Sequence, residues 1–274
     1  MNQAPIVIAL LAAAAALLGS VGGIGGATLL VPVLVLLGNS PTTAAPIGLL
    51  TVAAGSLAAA SRQLREGTVH HRLGLTVELA AASGAIVGAL ASTSLPESFL
   101  ARVLAGAALI GAVAALTRTG LRNLPNPVLV AEPPGEWPGT LGGQYRLGDE
   151  IVPYHARHLE RGLPAALGAG LIAGLSGVGG GFLKTPAMSE LMKVPVKVAA
   201  ATTTFTIGIT ASAGLFVYVL QGRVHPVDGT GAILGAIAGG AIGARMQSRL
   251  PATTVRRLTG ALLVVVAITV AARA

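Results

Sequence analysis

Apolar residues in this chain fall into eight long runs, near 4–38, 41–61, 73–94 and 98–117, then near 162–192, 195–221, 227–248 and 252–272. Most reach the roughly 18–20 residues that a helix needs to cross a bilayer. None alternates at the period of a strand, as a membrane β-barrel with aromatic girdles would require. The pattern predicts an all-α polytopic membrane protein. The first run of each half fits poorly: about 35 helical residues at 1.5 Å each would reach roughly 52 Å, against a hydrocarbon core of about 30 Å. Both runs are interrupted by glycines, SVGGIGGATLLVP at 20–32 and SGVGGGFLKTPAM at 176–188. A helical hairpin resolves the misfit: one arm enters, the chain turns at the glycines, and a second arm returns. About three further transmembrane helices follow in each half.

The two halves repeat one another. At an offset of 154, Gly23, Gly25, Gly26, Pro32, Pro41 and Ala45 fall on Gly177, Gly179, Gly180, Pro186, Pro195 and Ala199. At an offset of 155, Gly67, Val69, His70 and Gly74 fall on Gly222, Val224, His225 and Gly229, and Gly84, Gly88, Leu95, Pro96 and Arg102 fall on Gly239, Gly243, Leu250, Pro251 and Arg257. Residues 1–119 and 159–274 are therefore expected to be two homologous membrane repeats. Residues 120–158 differ: they hold six prolines, the only tryptophan and two of the three tyrosines. QYRLGDEIVPYHA has short β-like runs around a Gly-Asp turn, which suits a small hairpin in a water-exposed linker.

Composition agrees. The chain of 274 residues is 53% hydrophobic and 10% charged, with a mean hydropathy of +0.77; soluble domains carry about 25% charged residues. The 38 glycines suit close helix packing through small residues. The net charge of +8 suggests nucleic acid in a soluble protein, but no basic cluster is interleaved with aromatics. Read as topology, it informs. With each opening segment a hairpin, each half crosses an odd number of times and the repeats are inverted. One side then holds fourteen of the 18 Lys and Arg residues, the other only Arg102, Arg223 and Arg273, with Lys184 inside. The positive-inside rule puts both termini outside the cell membrane and the linker in the cytoplasm.

Broken membrane helices make sites: freed amides and helix N-termini point at an anion near the midplane, between repeats. The candidate binding residues are Gly22, Gly23, Gly25, Gly26 and Thr28 at the first break, and Ser176, Gly177, Gly179, Gly180 and Gly181 at the second. Close packing is the bland alternative for each glycine. Pro32, Pro41, Pro186 and Pro195 are expected to mark helix breaks. Lys184 is a candidate fixed positive charge, because an ionisable residue inside a membrane segment is a functional hypothesis by default. Snorkelling, or pairing with Glu190, is its bland alternative. Thr202, Thr203 and Thr204, with Thr51 as a thinner first-half candidate, could donate to oxyanions or merely bond their own helix. Glu78, Glu190 and Asp228 are the acidic residues near membrane segments, too few to suggest a multi-carboxylate cation or proton pathway.

Other motifs fall away. SVGGIGGA lacks the strand before it and the GK[ST] after it that a nucleotide loop needs. GLSG at 174–177 resembles the G-x-S-G of rhomboid-type intramembrane proteases, whose serine needs a histidine inside the bundle; the five histidines here lie at loop edges or in the linker. With no cysteine and no HExxH, neither a metal nor a cofactor is expected, and the protein is not expected to be an enzyme.

Two copies of a Gly-rich turn followed by proline (Gly22–Pro32 and Gly177–Pro186), then P-x3-A (Pro41–Ala45 and Pro195–Ala199), then G-x-V-H, resemble the TauE/SafE sulfite-exporter, or TSUP, family. The resemblance spans nearly the whole chain except the linker. It implies a permease for small sulfur-containing oxyanions such as sulfite, sulfonates or sulfoacetate, with a site formed by the two Gly-rich turns and the following helices. Export is expected, since an inside-negative potential drives an anion outward. The expected partners are that anion, the lipid bilayer and, as a further candidate, a second copy of the chain. A cation- or proton-coupled transporter, or a serine protease using Ser176, is the alternative.

Overall fold

A computed structural model describes residues 4–22, 25–65, 67–117, 135–147, 150–246 and 252–271. The first half contains α1 (Pro5–Gly22), α2 (Ala27–Leu36), α3 (Pro41–Arg65), α4 (His71–Ala91) and α5 (Glu97–Thr117). The second contains α6 (Leu159–Ser176), α7 (Gly181–Pro186), a π-helical turn (Ala187–Leu191), α8 (Val196–Leu220), α9 (Pro226–Met246) and α10 (Ala252–Ala271). Among the described residues, four helices, α3, α4, α8 and α9, are long and apolar enough to cross a membrane by length and composition. Large apolar side chains such as Leu57, Leu79, Phe216, Leu220, Val227 and Leu234 face outward. Exposed in water they would be costly; against lipid tails they are matched.

Both over-long segments break at their glycines, between Gly22 and Ala27 and between Ser176 and Gly181. The returning arm folds back closely in each half. A Cβ at Gly26 would lie 2.7 Å from the Ala16 Cα, and one at Gly180 would lie 2.7 Å from the Ala169 carbonyl oxygen, one residue from the equivalent position. The returning arms differ in length: α2 has ten residues, whereas α7 has six before the π-helical turn. Pro32 does not end α2, which continues to Leu36, so the expected break at Pro32 is absent. Pro41 opens α3, Pro195 precedes α8, and Pro186 closes α7 at the change to π geometry.

The packing partners exchange between halves. α1 lies along α9 and α6 along α4; α3 packs on α9 and α8 on α4; α3 meets α8, and α5 meets α10. Glycines set the closest approaches. A Cβ at Gly235 would fall 2.0 Å from the Ala9 carbonyl oxygen in α1, and one at Gly84 would fall 2.1 Å from the Leu167 carbonyl oxygen in α6. Such contacts suit a membrane bundle, where packing rather than hydrophobic expulsion holds helices together.

The connections gather at two ends. Arg223 reaches from the α8–α9 loop to Ser92 Oγ (3.2 Å) and to the Thr42 carbonyl (3.3 Å), and Thr42 donates to Glu97 (3.1 Å). At the other end, residues from 135 to 155 form an antiparallel three-stranded sheet, β1 (Gly135–Glu136), β2 (Gly142–Leu147) and β3 (Glu150–His155), in the order β1-β2-β3. Leu147 pairs with Glu150 across a two-residue connection, 148–149, outside the described residues. The sheet lies on the helices: Tyr145 and Val152 are buried against Leu73, Val77, Met188 and Met192, and the Arg157 amide donates to the Met192 carbonyl at 2.9 Å. Burial pushes the Tyr145 phenol up to about 12.

His70 pins this sheet. Fully buried at the start of α4, it meets the Gly142 carbonyl through Nε2 (3.2 Å), accepts from the Leu73 amide at Nδ1 (3.2 Å), and has Glu136 Oε2 3.0 Å from Nδ1. Its rings also meet Tyr154 edge-on. Burial lowers its pKa below the ordinary 6.5, more than the Glu136 charge raises it. A neutral imidazole suits these bonds, with Nε2 donating and Nδ1 accepting. Because its folded pKa is depressed, the stability from His70 is full above 6.5 and declines as pH falls from there towards the folded value.

Two predictions arise from the packing. Gly235→Val, forced against the α1 backbone, should lower thermal stability in detergent by about 1–3 kcal/mol or more, whereas Gly106→Ala, with nothing within 4 Å of its Cβ, should leave the unfolding midpoint unchanged or slightly raised. Hydrogen-exchange protection of β2 and β3, corrected for the intrinsic pH dependence of exchange, should decrease as pH falls below 6.5, and His70→Gln should flatten that dependence.

Candidate functional site

Between the two halves lies a cleft of about 30 Å³, room for two or three waters. From the first half it is lined by Ala16, Gly19 and Ser20 of α1, Gly25 and Gly26 of the turn, and Thr51, Val52, Gly55, Ser56 and Ala59 of α3. The second half supplies Gly181, Thr203, Thr204 and Ile207. The structure thus brings together six of the residues singled out in the sequence: Gly25, Gly26, Thr51, Gly181, Thr203 and Thr204. Ser20 and Ser56 join them. The sequence carries a signal for Ser56, since it lies five positions from Thr51 in a helix of small residues, but a lone serine there is unremarkable.

The local reasons are backbone ones. Gly25 sits at φ +85° and Gly179, its repeat partner, at φ +81°, a conformation that an L side chain rarely adopts. The turns also rest on the opposite half: a Cβ on Gly25 would lie 3.6 Å from Ile207 Cδ1, and one on Gly179 would lie 2.7 Å from Val52 Cγ2. Val52 and Ile207 are equivalent positions in the repeat, at an offset of 155. Each break is therefore built on the long helix that follows the other break.

The hydroxyls in the cleft differ in how firmly they are engaged. Thr51 donates to the Ile47 carbonyl (2.9 Å), Ser56 to Ala53 (3.0 Å) and Thr204 to Ala200 (2.9 Å), each within its own helix. Thr203 donates only weakly, to Met188 Sδ at 3.5 Å. Of these four it can turn to an incoming acceptor at least cost.

The remaining sequence candidates lie elsewhere. Gly177 and Gly180 pack on backbone, at Ala45 and Ala169, and Gly179 packs on Val52; Gly22 closes α1, and Gly23 lies outside the described residues. The Thr28 hydroxyl reaches the Val178 carbonyl (3.4 Å), tying the two turns together. Thr202 accepts from the His70 amide (2.9 Å). The Ser176 hydroxyl donates to the Ile172 carbonyl at 2.6 Å, four residues back.

Lys184 is fully buried, and its ammonium is already engaged. It forms an ion pair with Glu78 of α4 and reaches Thr206 Oγ1 (3.3 Å) and Thr210 Oγ1 (3.2 Å) of α8; Thr210 in turn donates to Glu78. The expectation of a standing, unpaired positive charge gives way to a neutral cluster. Its partner is Glu78 rather than the sequence neighbour Glu190, which is exposed. Gly74 makes the meeting possible: a Cβ there would lie 2.8 Å from the methyls of Thr202 and Thr206, so α4 approaches α8 closely one turn before Glu78.

Long apolar helices with a lipid-facing exterior, broken at two glycine turns around a cleft that carries hydroxyls, define a multi-pass α-helical membrane transporter. The family model described as Sulfite exporter TauE/SafE matches residues 8–270. The chain belongs to that family. It is 26% identical over 272 residues to the "Probable membrane transporter protein YunE" of Bacillus subtilis (strain 168), covering 95% of each chain. It is 24% identical over 236 residues to the "Probable membrane transporter protein YdhB" of the same organism, covering 86% of each. No solved structure matches significantly.

The buried pair yields a stability prediction. Lys184→Met leaves the Glu78 carboxylate uncompensated and should cost about 3–5 kcal/mol in unfolding measurements in detergent, whereas the double substitution Glu78→Leu with Lys184→Met should recover most of that loss.

Proposed function

We propose that this protein is a permease for a small sulfur-containing oxyanion, of the sulfite, sulfonate or sulfoacetate type, and that it exports it through the cleft between the two glycine breaks. The observation that carries the reading is the cleft itself: glycines of both breaks and hydroxyls of both following helices converge on one small, largely apolar space lined by no charged side chain. At the start of α2 the Thr28, Leu29 and Leu30 amides donate to the Gly25 and Gly26 carbonyls, and glycine at the turn lets an anion approach the backbone closely. The family name adds the sulfur chemistry.

In this reading the two repeats are inverted, with 1–119 and 159–274 as the membrane halves and 120–158 as a cytoplasmic linker, and both termini lie outside. Its supports are the distribution of Lys and Arg and the gathering of connections at two ends, with Arg223, Ser92 and Thr42 at one and the sheet, His70 and Met192 at the other. Outward anion movement gains about 2.3 kcal/mol per charge per 100 mV of inside-negative potential.

Proteoliposomes holding the purified chain should show saturable sulfite flux, competed by sulfonates more strongly than by chloride. Thr203→Val removes a hydrogen bond to a charged ligand worth about 1.5–3 kcal/mol, so the half-saturating concentration should rise by roughly tenfold or more. Absence of saturable sulfite flux at either sign of potential, in protein that remains folded, contradicts the substrate assignment.

A further inference from the structure

Glu78 and Lys184 need an explanation beyond packing. The pair joins the halves, Glu78 from α4 and Lys184 from α7, and both side chains are almost completely buried, at 2% and 0% exposure. A buried ion pair is a weak stability device, since apolar residues of similar volume often serve as well. The repeat bears this out: the equivalents of Lys184 and Glu78, at offsets of 154 and 155, are Leu30 and Ile233. The same positions in the other half work without charge.

The pair also stands beside the cleft. Gly181 lines the cleft and Lys184 lies one turn further along α7. Thr203 and Ile207 line it from α8, and Thr206 and Thr210, which hold Lys184 and Glu78, continue the same helical stripe. α7 is only six residues long and runs into a π-helical turn, a geometry frequent at functional sites. Other charged groups on the elements packed around the pair are exposed at element ends: His71 and Arg72 on α4, Glu97 and Arg102 on α5, Glu160 and Arg161 on α6, Glu190 on the π-helical turn, and Lys197 on α8. Among the described residues the two face no third titratable group.

We propose that Glu78 and Lys184 form a proton-coupling site, in which one proton taken up by Glu78 frees Lys184 to become the counter-ion of the transported anion. This rests on the anion-permease reading. A proton from water in the opened cleft adds to the Glu78 carboxylate, giving the neutral acid, and the ion pair opens. Lys184 keeps its three protons and its charge, and an oxygen of the anion takes the place of the carboxylate. On release at the other face, Glu78 returns the proton to water and pairs again with Lys184. One proton then accompanies each anion. A dianion still carries one net negative charge outward, so the membrane potential continues to drive it.

The test is sulfite flux in proteoliposomes containing a trapped pH dye, with wild type, Glu78→Gln and Thr210→Val. Wild type is expected to move one proton with each sulfite, and its flux to depend on pH. Glu78→Gln should lose the proton movement, and whatever sulfite flux it retains should be insensitive to pH. Thr210→Val keeps both charges but removes the hydroxyl that donates to Glu78, so the pH of half-maximal flux should shift upward with protons still coupled. Wild-type vesicles that move sulfite without protons overturn the coupling alone, as does Glu78→Gln with unaltered proton movement. Should Glu78→Gln fail to fold, an unshifted pH profile in Thr210→Val overturns it instead. Wild-type vesicles that move no sulfite defeat the substrate reading, and this inference with it.

Discussion

Backbone broken inside a bilayer has no water to satisfy it, and each unmet group costs several kcal/mol. That constraint governs the rest of this structure. The chain breaks twice, and it meets the cost by pressing each break against the opposite half. Gly177 rests on Ala45, Gly179 on Val52 and Gly25 on Ile207, so neither turn is complete without the long helix of the other repeat. The bond from Thr28 to the Val178 carbonyl adds a polar link from one turn to the other. A cleft lined by both halves follows directly from this interlock, because the two turns and α3 and α8 are forced to one place.

The halves share this frame but have diverged around it. The second has the shorter returning arm, the π-helical turn and Lys184, whereas the first supplies Glu78 and the longer α2. The sheet from the middle segment lies on the start of α4 and on the π-helical turn of the second half, through Tyr145, Val152 and His70 and over Met188 and Met192. Met188 Sδ is also the acceptor of Thr203. The cleft is thus connected, through Thr203 and Met188, to the surface on which the sheet rests. A movement that opens the cleft on that side must shift α7, the π-helical turn or the sheet.

Much of the architecture could be read from the residues, because apolar run length and glycine placement act locally. The breaks at 22–27 and 176–181, and Gly25, Gly26, Thr51, Gly181, Thr203 and Thr204 as a group, needed only the misfit between segment length and bilayer thickness and one register between halves. What stayed hidden depends on packing between distant segments. Lys184 and Glu78 are 106 residues apart, and which carboxylate meets the lysine is decided by the close approach at Gly74. Sequence proximity pointed to Glu190, but the helix turns that side chain outward. Pro32 misled for a related reason: proline is unfavourable inside a helix in isolation, yet α2 runs through it, with Pro32 and its neighbours Val31 and Leu34 buried in the core. The docking of the sheet was equally illegible, since short β runs announce strands but not what they cover.

The central claim is that one anion site lies between the halves, and the absence of native cysteine makes a direct measurement clean. A single cysteine placed at Thr51 in one chain, and at Thr203 in another, can be labelled with a thiol reagent in membranes while sulfoacetate is titrated; unlike sulfite, it does not consume the reagent. The account predicts that both cysteines are protected, saturably and with the same half-maximal concentration. Protection of only one of them, or of neither while transport persists, would contradict a site shared by the two halves.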